Sequence, residues 1–141
     1  MLKRLSFQLH WYLDYLKFCE VEITVVNKTV HIKSVAGLDL FEADLRLEEV
    51  LDLIDRIDGI ALETWQHNYL PEGFAVADGF MWSVEYEKTF IRRKETETIK
   101  INGSNAYPWC FYQLIRIIME VAPNTKTLLT EYAEEVKCFY L

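Results

Sequence analysis

The chain has 141 residues, about half of them hydrophobic and 14% aromatic, which suits one domain with a sizeable core and excludes a disordered chain. Its net charge of −7 is concentrated: Asp39 to Glu63 holds nine acidic residues and two basic ones, Arg46 and Arg56, while the other 13 acidic and 13 basic residues balance. That distribution disfavours a general affinity for nucleic acid and directs any electrostatic partner, a basic surface, to one side of the molecule.

The first element is marked by strict alternation. Leu5, Phe7, Leu9, Trp11 and Leu13 are apolar, with Arg4, Ser6, Gln8 and His10 between them, the period of a half-buried strand. Gln8, His10 and Asp14 also spoil this stretch as a signal peptide, and no small-residue cleavage site follows. Cys19, Val21, Ile23 and Val25 alternate next; Asn27-Lys28 supplies a tight turn and "TVHIKSV" returns, so the first third reads as an antiparallel meander. In "DLRLEEVLDLIDRID" the period changes. Leu47, Val50, Leu51, Ile54 and Ile57 form a helical stripe, and Glu48, Glu49, Asp52, Asp55 and Asp58 fall opposite it. Asp44 is the expected N-cap and Gly59 the expected stop. Leu62, Trp65 and Tyr69 suggest a short further helical piece before Pro71, and "PEGFAVADG" reads as a loop.

Alternation resumes at Phe80, Trp82, Val84 and Tyr86. "RRKE" makes a hairpin tip and "TETIKI" the returning strand. Pro108 fits the first position of a helix, whose buried stripe is Phe111, Leu114, Ile115, Ile118 and Val121; Pro123-Asn124 ends it. Leu128, Leu129, Tyr132 and Val136 mark a last helix. The expected class is α+β: an antiparallel sheet of about five strands, meander plus hairpin, with three to four helices on one face. Residues 19–58 and 80–121 share a hairpin-then-helix plan, a candidate degenerate repeat within one globular domain spanning 1–141.

No Gly-rich phosphate loop, CxxC, HExxH or paired-histidine spacing occurs, and His10, His31 and His67 are isolated. No catalytic residue, metal site or cofactor is therefore assigned. Cys19, Cys110 and Cys138 are odd in number and far apart, which points away from a disulfide framework and towards the cytoplasm. No run of 18 apolar residues suggests a membrane span. Composition sets no oligomeric state.

Two stretches carry candidate function. In "INGSNAYPWC" a strand turns sharply into a helix. Gly103 and Asn105 tolerate positive φ, and Ser104 and Asn105 can accept hydrogen bonds from free N–H groups, so capping explains much of it. The same helix start would suit a small anion, with Asp78, Trp82, Ser104, Asn105, Tyr107, Trp109 and Cys110 lining the site. The acidic helix is the other: a solvated face in the plainer reading, and in the sharper one a docking surface for a basic partner or a mimic of nucleic-acid phosphates.

"DGFMWSVEYEKTF" followed by "IKINGSNAYPWCFYQLIRII" resembles small uncharacterised bacterial proteins that carry Asp-Gly before a Trp-led strand, then a strand ending in Gly-x-Asn-Ala-Tyr-Pro, then a helix. The matching residues are Asp78, Gly79, Trp82, Gly103, Asn105, Ala106, Tyr107 and Pro108. The resemblance covers roughly residues 60–120 and implies a bacterial or phage setting but no chemistry. It also implies that Asp78 and Trp82 act with the GSNAYP turn as one unit. Taken together, the expected function is a small, non-catalytic interaction protein, of the inhibitor, immunity or adaptor kind, docking a basic protein through Glu48, Glu49, Asp52, Asp55 and Asp58. The anionic-ligand site at the helix start is the alternative.

Overall fold

The computed structural model describes residues 1–11, 14–69, 80–90, 95–104, 106–108 and 110–135. In chain order the strands are β1 (Leu2–Trp11), β2 (Asp14–Val26), β3 (Thr29–Ala36), β4 (Asp39–Arg46), β5 (Asn68–Tyr69), β6 (Phe80–Phe90) and β7 (Glu95–Ser104). The helices are α1 (Leu47–Gly59) after β4, then α2 (Phe111–Val121) and α3 (Lys126–Glu135) after β7. Among the described residues the strands form one sheet in the order β4-β3-β2-β1-β6-β7-β5. The class is α+β, with more strands than the expected five. The sheet is mixed, not purely antiparallel, because β5 runs parallel to β7.

One register accounts for the core. Leu9 lies opposite Cys19 on one side and Trp82 on the other, Phe7 opposite Val21 and Val84, and Leu5 opposite Ile23 and Tyr86. All of these side chains are buried. The row continues through Ile32 in β3 and through Ile99 and Ile101 in β7. Against it pack Val50, Ile54 and Ile57 of α1, Phe111, Leu114, Ile115 and Ile118 of α2, and Leu129 and Tyr132 of α3. Each fully buried large apolar side chain contributes roughly 1.5–3 kcal/mol, so this single layer contact dominates the stability. The opposite face of the sheet carries Arg4, Gln8, Glu20, Glu22, Lys33 and Glu42.

Several boundaries differ from those the sequence predicts. Asp39–Arg46 is a strand, so Asp44 is a strand residue opposite His31 and not an N-cap. Phe41, Ala43 and Leu45 alternate with Glu42, Asp44 and Arg46, the period of a strand, and eight ladder pairs with β3 hold the segment extended as far as Arg46. Arg46 then occupies the N-cap without a side-chain cap bond, and α1 is kinked at Val50 (φ −121°, ψ 15°). Leu51, expected in the buried stripe, is 45% exposed. Gly59 closes α1 as expected, but the left-handed residue is Ala61 (φ 56°). The piece after it is one 3-10 turn, Leu62–Thr64, and Tyr69 belongs to β5. Within residues 19–58 the end of β2, then β3 and β4, precede α1, and within residues 80–121 β6 and β7 precede α2. Of the expected "RRKE" tip, Arg92, Arg93 and Lys94 lie outside the described residues, and Glu95 opens β7 opposite Phe90.

Candidate functional site

Two regions were expected to carry function, and the structure gives them different characters. At the corner, Trp82 of β6 stands opposite Gly103 of β7. Its indole lies over the glycine so closely that a Cβ on Gly103 would sit 2.1 Å from the ring. The Trp82 indole N–H donates to the Ala106 carbonyl at 3.0 Å, tying the strand to the turn. Tyr107 stacks on Trp82 at 6.3 Å and 16°, Phe111 meets it at 4.6 Å, and Trp65 meets it edge-on at 6.3 Å. Tyr69 of β5 lies 5.8 Å away on the same indole. A strand glycine marks a close approach, and here the approaching group is an aromatic ring of the core.

Four details of this corner bear on the expected ligand site. Pro108 is not the first helical residue; it precedes the N-cap Cys110, and α2 starts at Phe111. The N–H groups of Phe111 and Gln113, which an anion would use, bond to the carbonyls of Pro108 and Cys110. Ser104 lies opposite Met81, in register with the sheet face away from Trp82 and Gly103. Cys110 is buried; burial pushes its thiol up, with the Trp65 indole acting the other way, so a reactive thiolate is not favoured. Trp82 and Tyr107 are thus brought together, with Cys110 beside Trp65. Asp78, Asn105, Trp109 and Cys138 lie outside the described residues. Cys19, also free and buried, has its thiol pushed up to about 12 by burial.

The carboxylates of α1 do not form one row. Glu48 and Glu49 pair with Arg46 at 3.2 and 2.7 Å, on the N-terminal side of the kink. Asp58 is half-buried and accepts a hydrogen bond from the Tyr86 hydroxyl at 2.8 Å, so it belongs to the frame of the protein. Burial, then Asp58, pushes the Tyr86 hydroxyl well above its ordinary range. Arg56, the basic residue within α1, pairs with Glu120 of α2 at 2.6 and 3.2 Å. Asp52 and Asp55 are exposed, and the charge of Asp52 helps Glu120 raise the Arg56 pKa. Arg46 and Glu48 are nearly three-quarters exposed, so that pair is weak and open to exchange.

Sequence reasoning missed a neighbouring acidic group on β4. His31 of β3 bonds Asp44 through Nδ1 and lies 3.1 Å from Glu42 through Nε2. The hydrogen bond to Asp44 raises the His31 pKa above 6.5, helped by both carboxylate charges and opposed by Lys33. The contribution of this pair is therefore complete below pH 6.5 and is lost as pH rises through the folded-state value. An NMR titration of the His31 ring is expected to give a pKa above 6.5 that falls in Asp44→Asn. An unchanged pKa in that variant contradicts the assignment.

Two shallow grooves flank these regions. One, of about 350 Å³, runs along the ends of β1 and β2 by His10, Phe18 and Glu20. The other, of about 280 Å³, lies between α1 and α2 by Arg56, Gln113 and Arg116. Among the described residues no three of His, Cys, Asp and Glu gather as a metal cage, and no helix is long and apolar enough to cross a membrane. Comparison of the chain with protein-family models, with curated proteins and with solved structures gives no match.

Proposed function

We propose that this chain is a small, non-catalytic interaction protein of the cytoplasm, which captures a basic partner through its acidic side in the manner of an inhibitor, immunity protein or adaptor. The observation that supports this reading is the segregation of charge along the chain: the whole net charge of −7 arises between Asp39 and Glu63, with Asp52 and Asp55 exposed on α1 and Glu42 and Asp44 exposed on the sheet face opposite the helices. Of the five helix carboxylates, Asp52 and Asp55 are the docking pair, Glu48 and Glu49 join when Arg46 is drawn away, and Asp58 is a structural residue. Such a surface raises the on-rate for a positively charged partner and repels acidic ones. Its likeness to small bacterial proteins at the GSNAYP corner favours a bacterial or phage host.

The anionic-ligand reading has less support, because Trp82 and Cys110 are buried and two N–H groups of the α2 start are already bonded. The test is recovery of a partner from native lysate, its identification, and repetition with Asp52→Lys/Asp55→Lys. A basic partner held by the wild type and lost by the doubly reversed chain, at unchanged thermal midpoint, is the expected result. Equal recovery by both overturns the reading. Displacement of that partner by DNA would place its contact residues on a nucleic-acid-binding surface.

A further inference from the structure

Strand β4 forms one outer edge of the sheet. Among the described residues its only strand partner is β3, over eight consecutive pairs from Thr29–Arg46 to Ala36–Asp39 with no register shift. The Gly37-Leu38 turn is closed by Ala36–Asp39, a hydrogen-bonded pair in a two-residue hairpin, and such pairs alternate along an antiparallel ladder. Leu40, Glu42, Asp44 and Arg46 therefore turn their N–H and C=O groups away from β3. Their side chains are exposed. Leu40 is 73% exposed; Leu38 (88%) lies in the adjoining turn, where the Gly37 N–H bonds the Phe18 carbonyl, and Leu16 (62%) is exposed on β2 beside Gly37.

Sheet edges are normally blunted by a very short strand, by lysine, by proline or by a bulge. β4 is eight residues long with no lysine, proline or bulge, and its blunting device is charge: Glu42 and Asp44 beyond Leu40, and Arg46 at the end next to α1. The two carboxylates select the occupant. A second copy pairing through a twofold axis normal to the sheet must match even-numbered residues with even-numbered ones. The two registers centred on the strand then set Glu42 against Glu42 or against Asp44 of the other copy, which like-charge repulsion disfavours. A basic strand meets the opposite condition. The cations that already face these carboxylates, His31 and Lys33 of β3, are open to solvent, so an incoming Lys or Arg joins a solvated group and disrupts no buried pair.

We propose that β4 is an acceptor strand, to which an extended segment of a basic partner adds antiparallel, with Lys or Arg facing Asp44 and Glu42 and an apolar side chain over Leu40. Antiparallel addition is the mode of every long strand pair in this sheet, and it reads the partner as basic-x-basic-x-apolar from N to C. This rests on the reading that the partner is basic and narrows it to one that pairs by backbone.

The test uses the full chain and the peptide Thr-Lys-Thr-Lys-Thr-Leu-Thr, followed by chemical-shift perturbation of the β4 amides. Methylating the backbone nitrogens of the Lys and Leu residues removes the donors that face β4 and is expected to weaken binding about tenfold or more. Methylating the intervening Thr nitrogens, which face away, leaves binding unchanged. Equal effects of the two patterns, or no binding of the unmodified peptide, overturn the proposal. Glu42→Pro, which removes an outward N–H and no bond to β3, gives the same loss, and Glu42→Gln gives a smaller one. A concentration-dependent dimer abolished by Glu42→Pro would assign the edge to a second copy and overturn it as well. Partner capture that survives Asp52→Lys/Asp55→Lys defeats the helix reading alone, whereas indifference to the methylation pattern defeats the strand reading alone.

Discussion

Replacing Gly103 with alanine is expected to cost about 3 kcal/mol or more, or to prevent folding. The new methyl would lie 2.1 Å from the Trp82 ring, and that ring has nowhere to go. Tyr107, Phe111, Trp65 and Tyr69 surround it, and its N–H is fixed on the Ala106 carbonyl. The cause is separable by a double-mutant cycle in denaturant unfolding. In a Trp82→Leu background the ring is gone, and Gly103→Ala is expected to become neutral or stabilising, because alanine is favoured over glycine in a strand by about 0.5–1 kcal/mol. Costs that simply add would show that the ring is not what requires the glycine.

Asp58→Lys is expected to lose roughly 1–3 kcal/mol, while Asp55→Lys, three residues earlier on the same helix, stays within about 0.5 kcal/mol of wild type. The Tyr86 hydroxyl is held in the core between α1 and the sheet, and Asp58 accepts its hydrogen bond at 2.8 Å. Removing that acceptor leaves a buried donor without its partner. Asp58→Asn retains an acceptor and should recover most of the loss, and Tyr86→Phe should make the identity of residue 58 matter much less. Indistinguishable stabilities for Asp58→Lys and Asp55→Lys would contradict a structural role for Asp58. The contrast also governs any charge-reversal experiment on α1: reversing all five carboxylates together confounds docking with unfolding.

The elements whose apolar period matched their burial were legible in the sequence. Leu5, Phe7 and Leu9 of β1, and Leu114, Ile115 and Ile118 of α2, fall where their spacing places them. β4 was missed although Phe41, Ala43 and Leu45 alternate with Glu42, Asp44 and Arg46, because the helical stripe starts immediately after it at Leu47 and Asp44 suits an N-cap. β5 was not legible either: two residues have no period, and their pairing with Asn102 and Gly103 is set by tertiary contact. At the corner, glycine, proline and rings announced a special backbone, but not that Trp82 fills the space above Gly103. On α1 the acids were visible as residues, but their partners were not. The contact of Asp58 with Tyr86 spans 28 positions and that of Arg56 with Glu120 spans 64, distances over which helical period says nothing.

We propose that recognition runs through β4 and α1 while the aromatic corner is frame. Amide hydrogen exchange of the full chain, with and without its captured basic partner, tests this most directly. Protection is expected in residues 40–46 and in the first two turns of α1, with residues 80–84 and 101–104 unchanged. Protection confined to 80–84 and 101–104, with β4 and α1 exchanging as in the free protein, would contradict it.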